Sequence, residues 1–208
     1  MPHLIFHKPY GVLSQFGDRT VEGRATLKDY IPITDVYPVG RLDHDSEGLM
    51  LLTDDGRMQH WLSDPRFRHP RTYWAQVEGI PTPEAIARLQ NGLEIQNYRT
   101  LPCEVAVITP EVLPRNPPIR HRLTVPTAWL VLTLYEGKNR QVRRMTAAVG
   151  LPTLRLIRVA IADLSLEDLP CGTWRWLTEP EIARLQPKSV KPQNPRSARA
   201  ASARRSTS

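Results

Sequence analysis

The chain has 208 residues, 28 Lys or Arg against 21 Asp or Glu, a formal charge of +7 and two cysteines. That length can bury a core without staples, Cys103 and Cys171 lack C-x-x-C spacing, and no apolar run reaches the ~18 residues of a membrane span. These features exclude a disulfide framework, a zinc ribbon and a membrane span, and the reading is a soluble protein of a reducing cytoplasm.

The charge is unevenly spread. Lys188, Lys191, Arg196, Arg199, Arg204 and Arg205 fall in residues 187–208, where there is no acid, leaving a net charge of +1 for residues 1–186. That segment, rich in Pro, Ser, Ala and Arg, cannot bury enough apolar surface to offset its ordering entropy, so the sequence predicts a disordered basic tail after a folded domain 1–186.

In chain order, "HLIFHK" (3–8) alternates as a strand, and "PYG" turns into an extended "VLSQF" (12–16). "TLKDYIP" reads as a short helical turn. "VYPVGRL" (36–42) and "GLMLLTDDG" (48–56) read as extended segments around an acidic loop. "RMQHWLSDP" is a helix halted before Pro65, and "RTYWAQVEG" (71–79) is a strand. "TPEAIARLQNG" is a helix with Thr82 as cap, Pro83 in its first turn and Gly92 at its end. "LPCEVAVIT" and "WLVLTLYEG" are strands, separated by a proline-rich loop, 110–127, whose Arg115, Arg120, His121 and Arg122 make it a basic surface. "NRQVRRMTAAVG" reads as a helix, "LPTLRLIRVAIADLSL" as one long strand, and "TWRWLTEPEIARL" as a strand entering a helix through a Thr178 to Glu181 capping box. Strands and helices mix without regular alternation, which predicts an α+β fold with a largely antiparallel sheet flanked by helices.

The stretch "GRLDHDSEG" (40–48) crowds Asp43, His44, Asp45 and Glu47 into one loop. On its own it admits several readings. Asp43, Asp45, Glu47, Gly48 and Asp54 match part of a calcium-loop spacing, but the flanks look extended and the twelfth position is Asp rather than Glu. Asp43 and Glu47 could serve as a carboxylate pair for glycoside hydrolysis, although such pairs are usually built from different elements. A solvated turn capped by Asp and Ser is the third reading.

Further segments accompany that loop. "HKPYGVLSQF" at 7–16, "PVGRLDHDSEGLMLLTDDG" at 38–56, "RTYWAQVEG" at 71–79 and "YEGKNRQVRRM" at 135–145 follow one another. In order and spacing they resemble the bacterial rRNA pseudouridine synthases, in the group that comprises synthase A of small-subunit rRNA and synthases B, E and F of large-subunit rRNA, over roughly residues 3–180. The resemblance implies a pseudouridine synthase-like catalytic domain without an N-terminal RNA-binding module. It also implies an enzyme that isomerises a uridine, in 23S rRNA or an assembly intermediate, with no cofactor and no metal. The competing class is a non-catalytic RNA-binding or ribosome-assembly protein on the same fold. A cytoplasmic monomer without membrane contact is expected.

Residue by residue, the resemblance makes Asp43 the essential carboxylate, suited to act as nucleophile or base. It makes Arg143 the cation that keeps Asp43 charged, since a carboxylate in a dry pocket otherwise takes up a proton. It makes Tyr73 the aromatic that stacks on a flipped uracil and offers its hydroxyl for proton transfer. Val142 would wall the pocket. Arg41 would follow the RNA backbone or fill the gap left by the flipped nucleotide. Arg71 stands where the family often has Lys, and Arg140 and Arg144 would contact phosphates. The 110–127 loop, with Arg115, Arg120 and Arg122, is read as a further RNA contact.

Overall fold

The computed structural model describes residues 1–17, 23–119, 122 and 124–185, so Arg120 and the basic segment 187–208 lie outside the described residues. In chain order the elements are β1 (His3–Lys8), β2 (Tyr37–Pro38), β3 (Glu47–Thr53), α1 (Gly56–Ser63), β4 (Arg71–Glu78), α2 (Pro83–Gln90), β5 (Glu94–Ile95) and β6 (Tyr98–Arg99). There follow β7 (Glu104–Ile108), β8 (Thr127–Leu134), α3 (Gln141–Ala148), β9 (Thr153–Ile161), β10 (Leu164–Ser165), β11 (Trp174–Trp176) and α4 (Glu179–Leu185).

One sheet organises the fold in the order β11-β1-β3-β9-β4-β8-β7, with β2 paired to β3 and β10 to β9. Among the described residues its pairings are antiparallel except β3 with β9, so the expected α+β architecture is the one found. The parallel pair joins the two halves of the sheet. Gly48 makes this join possible: it has φ +113°, and a Cβ there would sit 2.3 Å from the Arg158 carbonyl oxygen.

Sequence pattern explains the layers. Every residue of β3 is buried, as an apolar run covered on both faces should be. Ile5, Leu49 and Leu51 face a cluster with Met58 and Leu62 of α1 and Leu185 of α4. Leu4, Phe6, Met50 and Leu52 face the opposite way, against Val12, Leu27 and Ile31. Across the join, Ala75, Val77, Leu130 and Leu132 pack with Leu89 of α2 and Met145 of α3. The helix ends follow their caps. Asp55 accepts from the Arg57 and Met58 amides at 2.8 and 3.2 Å, and Thr82 accepts from Ala85 at 3.2 Å. At the last helix, Glu181 accepts from the Thr178 amide at 2.8 Å.

The structure departs from the sequence reading in several segments. "VLSQF" is not a strand; Leu13 makes one isolated bridge to Thr26, because this stretch is used to brace the acidic loop. "VYPVGRL" contributes only Tyr37–Pro38. The long strand expected over 151–166 ends at Ile161, where Ala162 turns with φ +48° and Leu164–Ser165 folds back on it. The small hairpin β5–β6, turning at Gln96 with φ +54°, carries no Gly or Pro to announce it.

Candidate active site

The acidic loop, 40–46, runs into β3 and is held from behind by the first motif. Gly11 donates its amide to the His44 carbonyl at 2.9 Å. Ser14 Oγ donates to the Leu42 carbonyl at 2.7 Å and accepts from the Leu42 amide at 3.1 Å. Lys8, with no exposed surface, donates Nζ to the carbonyls of Pro9 and Val12 at 2.9 and 2.8 Å and so fixes the turn that does this bracing. Burial pushes the Lys8 ammonium down to about 8 against the opposing pull of Glu47, Asp45 and Asp43.

Arginines from outside the loop neutralise its carboxylates. Arg140 donates Nη1 and Nη2 to the two Asp45 oxygens at 2.9 and 2.7 Å, and its Nη1 lies 3.7 Å from Asp43 Oδ2. Arg143 donates Nη2 to the Asp45 carbonyl at 2.6 Å and Nη1 to the Thr153 carbonyl at 3.2 Å. Its Nε lies 3.4 Å from Asp45 Oδ2 without the alignment of a hydrogen bond. Glu47 is paired with Arg155 of β9. Burial pushes the Asp45 carboxyl up, but the Arg140 hydrogen bonds and the charges of Arg143 and Arg140 outweigh it and hold the group below the usual range.

Arg140 can bridge both aspartates because it caps α3 with a left-handed backbone, φ +50°, uncommon for a residue with a side chain. The expected pairing of Arg143 with Asp43 is therefore not the one found. Arg140 makes the ion pair to Asp43, while Arg143, one turn further along the helix, grips the loop at Asp45. The sequence places both on one helix, but it does not reveal the left-handed cap that turns Arg140 inward.

Asp43 opens onto a cleft of about 350 Å³, whose walls include Arg41, Ser46, Tyr73, Arg140, Val142 and Arg158. Tyr73 stands at a bulge between Thr72 and Tyr73 in β4, which turns it toward the cleft where two core clusters meet. Arg71 also lines this space, with Nη2 donating to the Leu62 carbonyl at 2.9 Å. Arg41 is exposed and, among the described residues, has neither hydrogen-bond nor ion-pair partner.

The remaining predicted RNA contacts are differently disposed. Arg144 donates to Asn139 Oδ1 at 2.9 Å on the exposed side of α3. Arg115 uses its donors on the carbonyls of Pro117 and Pro118 and lays its guanidinium over Tyr10, 3.9 Å from the ring centroid, so it secures its own loop. Arg122 pairs with Glu78 at 3.5 Å, at the opposite end of β4 from Tyr73 and roughly 17 Å of strand away.

Sequence reasoning passed over Lys8, Arg155 and Arg158. The signal for the latter two was present: "LRLIRV" sets two arginines in an otherwise apolar strand, and at a spacing of three they face opposite sides of the sheet. Arg155 meets Glu47 and Arg158 lines the cleft. Among the described residues no group of His, Cys, Asp or Glu is arranged to hold a metal ion.

Comparison with known proteins identifies the family of the chain. The family model described as RNA pseudouridylate synthase matches residues 2–148. The ribosomal large subunit pseudouridine synthase E of Xanthomonas axonopodis pv. citri is 55% identical over 168 residues, which are 80% of this chain and 88% of that protein. Its counterpart in Vibrio parahaemolyticus is 53% identical over 173 residues, 83% of this chain and 72% of that protein. A crystal structure of a pseudouridylate synthase superposes with a TM-score of 0.72 at 27% identity, covering 89% of this chain and 74% of the other. With its motifs folded around one carboxylate-bearing cleft and this breadth of likeness, the chain belongs to the RNA pseudouridylate synthase family.

Proposed function

We propose that this protein isomerises a uridine of large-subunit rRNA to pseudouridine, with Asp43 as its essential carboxylate. The observation that carries this reading is the placement of Asp43 at a cleft shared with Tyr73 and rimmed by arginines, in a chain more than half identical to enzymes named for the large ribosomal subunit.

The reaction breaks the bond from C1′ to N1, turns the uracil and rejoins C1′ to C5; C5 loses a proton and N1 gains one. Asp43 acts at the glycosidic bond, by attack at C1′ or at the ring or by taking a ribose proton. Arg140, the cation nearest to it, favours the carboxylate form that these routes need. Tyr73 gives the flipped base an aromatic face, which offsets part of the unstacking cost, and a hydroxyl for proton transfer. Arg143 holds the loop that carries Asp43. Arg41, Arg71 and Arg144 meet the RNA backbone.

The substrate is 23S rRNA, naked or in an assembly intermediate, and the enzyme works as a cytoplasmic monomer. No described helix is long and apolar enough to cross a membrane. Residues 1–186 are the catalytic unit, and the basic side chains of 187–208 add salt-sensitive attraction to phosphates.

The test is pseudouridine mapping across total RNA from cells with the gene intact, deleted, and restored as wild type or as Asp43→Asn. One large-subunit site should vanish on deletion and return only with the wild-type gene. No change at any site would favour a non-catalytic binding protein, and restoration by Asp43→Asn would remove Asp43 from its role.

A further inference from the structure

Arg158 is a buried cation without a counter-ion among the described residues. It is 3% exposed, at the point where β9 crosses Gly48 of β3, and it lines the cleft. Its Nε donates to the Leu49 carbonyl at 2.8 Å, but Nη2 is buried with no partner. Among the described residues no carboxylate pairs with it. Burial is the largest influence on its charge and disfavours it, Tyr73 favours it both electrostatically and as a side-chain hydrogen-bond partner, and Arg71 opposes it. A guanidinium in such a site is strongly disfavoured unless acceptors satisfy it, and one strand carbonyl satisfies only part of its donor set.

The acceptor within reach is the Tyr73 hydroxyl. Tyr73 and Arg158 are cross-strand partners in the β4–β9 ladder, directly beside the bulge that turns Tyr73 into the cleft. A phenol can donate one proton and accept more than one, whereas arginine can only donate. Any hydrogen bond between them therefore runs from Arg158 to the Tyr73 oxygen, and the Tyr73 proton must then point elsewhere. The open direction is the cleft.

We propose that Arg158 is a positioning residue for the isomerisation: it donates to the Tyr73 hydroxyl oxygen and thereby aims the Tyr73 proton at a flipped base in the cleft. Arg158 does not touch the base itself. Its buried charge keeps the phenol oxygen in one hydrogen-bonded orientation while proton transfer proceeds, and Nη2, which has no aligned partner, is the donor that aligns on that oxygen when the base is in place. The inference rests on the functional reading above.

The experiment compares single-turnover conversion of an rRNA fragment by wild type, Arg158→Met, Tyr73→Phe and the double variant, with the RNA Kd of each. Absence of conversion by wild type would overturn the functional reading, and this proposal with it. With wild type active, each single variant should lose about 100-fold in rate, the scale of a positioned proton transfer. RNA affinity should stay within about threefold, and the double variant should fall no more than about threefold below Tyr73→Phe. Losses that multiply, or Arg158→Met turning over within about threefold of wild type, would overturn the proposal. Should Arg158→Met not fold, the crystal structure of Asp43→Asn with the same RNA decides. Arg158 Nη2 should lie within about 3.2 Å of the Tyr73 oxygen, and a gap beyond about 3.5 Å would overturn the proposal.

Discussion

Glu47 and Arg155, 108 residues apart in the chain, close a two-point ion pair with 2.8 Å at each contact. Both are almost wholly buried, and a third Arg155 donor reaches the Leu113 carbonyl at 2.8 Å, tying the proline-rich loop to the same joint. Removing one partner leaves a buried charge uncompensated, so Glu47→Gln or Arg155→Met should each cost about 3–5 kcal/mol. Replacing both, as Glu47→Leu with Arg155→Met, should recover much of that loss. Urea unfolding of the four proteins checks this, and simple addition of the two single losses would show that the charges are not coupled.

The arginines at the start of α3 should separate in their effects. Arg143 holds loop and strand carbonyls from a partly buried position, and hydrogen bonds of that kind contribute about 1.5–3 kcal/mol. Arg143→Met should therefore lower both stability and turnover. Arg140 is 42% exposed, where an ion pair contributes at most about 1 kcal/mol, so Arg140→Ala should fold as wild type does yet lose turnover. Thermal unfolding alongside single-turnover rates distinguishes them; equal stability losses in both variants would contradict this division. Because Asp45 is held below the usual carboxylate range, the loop's grip on these arginines is complete at neutral pH. It is lost only as the pH falls through and below that range.

What the sequence announced and what it hid have a common cause. Asp43, Tyr73 and Arg140 sit in local motifs, and the apolar run of β3 and the caps at Thr82 and Glu181 are signals carried within a few residues. The pairing of Glu47 with Arg155, and the encounter of Tyr73 with Arg158, depend instead on strands far apart in the chain meeting in a particular register. Propensity and periodicity contain no information about register. The choice between Arg140 and Arg143 as the cation nearest Asp43 turned on one left-handed backbone at a residue that rarely adopts it.

Lys8 should give the enzyme a measurable alkaline signature. Its ammonium is pushed by burial down to about 8 in the folded state, below the ordinary lysine value of 10.5. Between those values the unfolded chain binds more protons at this residue than the folded one does, so its contribution to stability rises with pH across that window and is flat below it. Unfolding free energies of wild type minus Lys8→Met should therefore climb by roughly 3 kcal/mol from pH 8 to 10.5. A difference that stayed level would mean that Lys8 titrates in the fold as it does in water.

Salt dependence should sort the arginines around the cleft into those that meet RNA phosphates and those that support the protein. Arg41 is exposed at the cleft with no partner among the described residues, so on binding it can displace a condensed counter-ion. Arg115 has its donors on Pro117 and Pro118 and its face on Tyr10, so a phosphate would have to break those contacts first. Plots of log Kobs against log salt should be less steep by about 0.7–0.9 in Arg41→Ala and keep the wild-type slope in Arg115→Ala. Arg115→Ala should instead weaken binding by a similar factor at every salt concentration, because what it loses is the docking of its loop beside Tyr10. A slope reduced in Arg115→Ala and unchanged in Arg41→Ala would reverse the assignment and make the proline-rich loop, rather than the rim of the cleft, the main electrostatic contact.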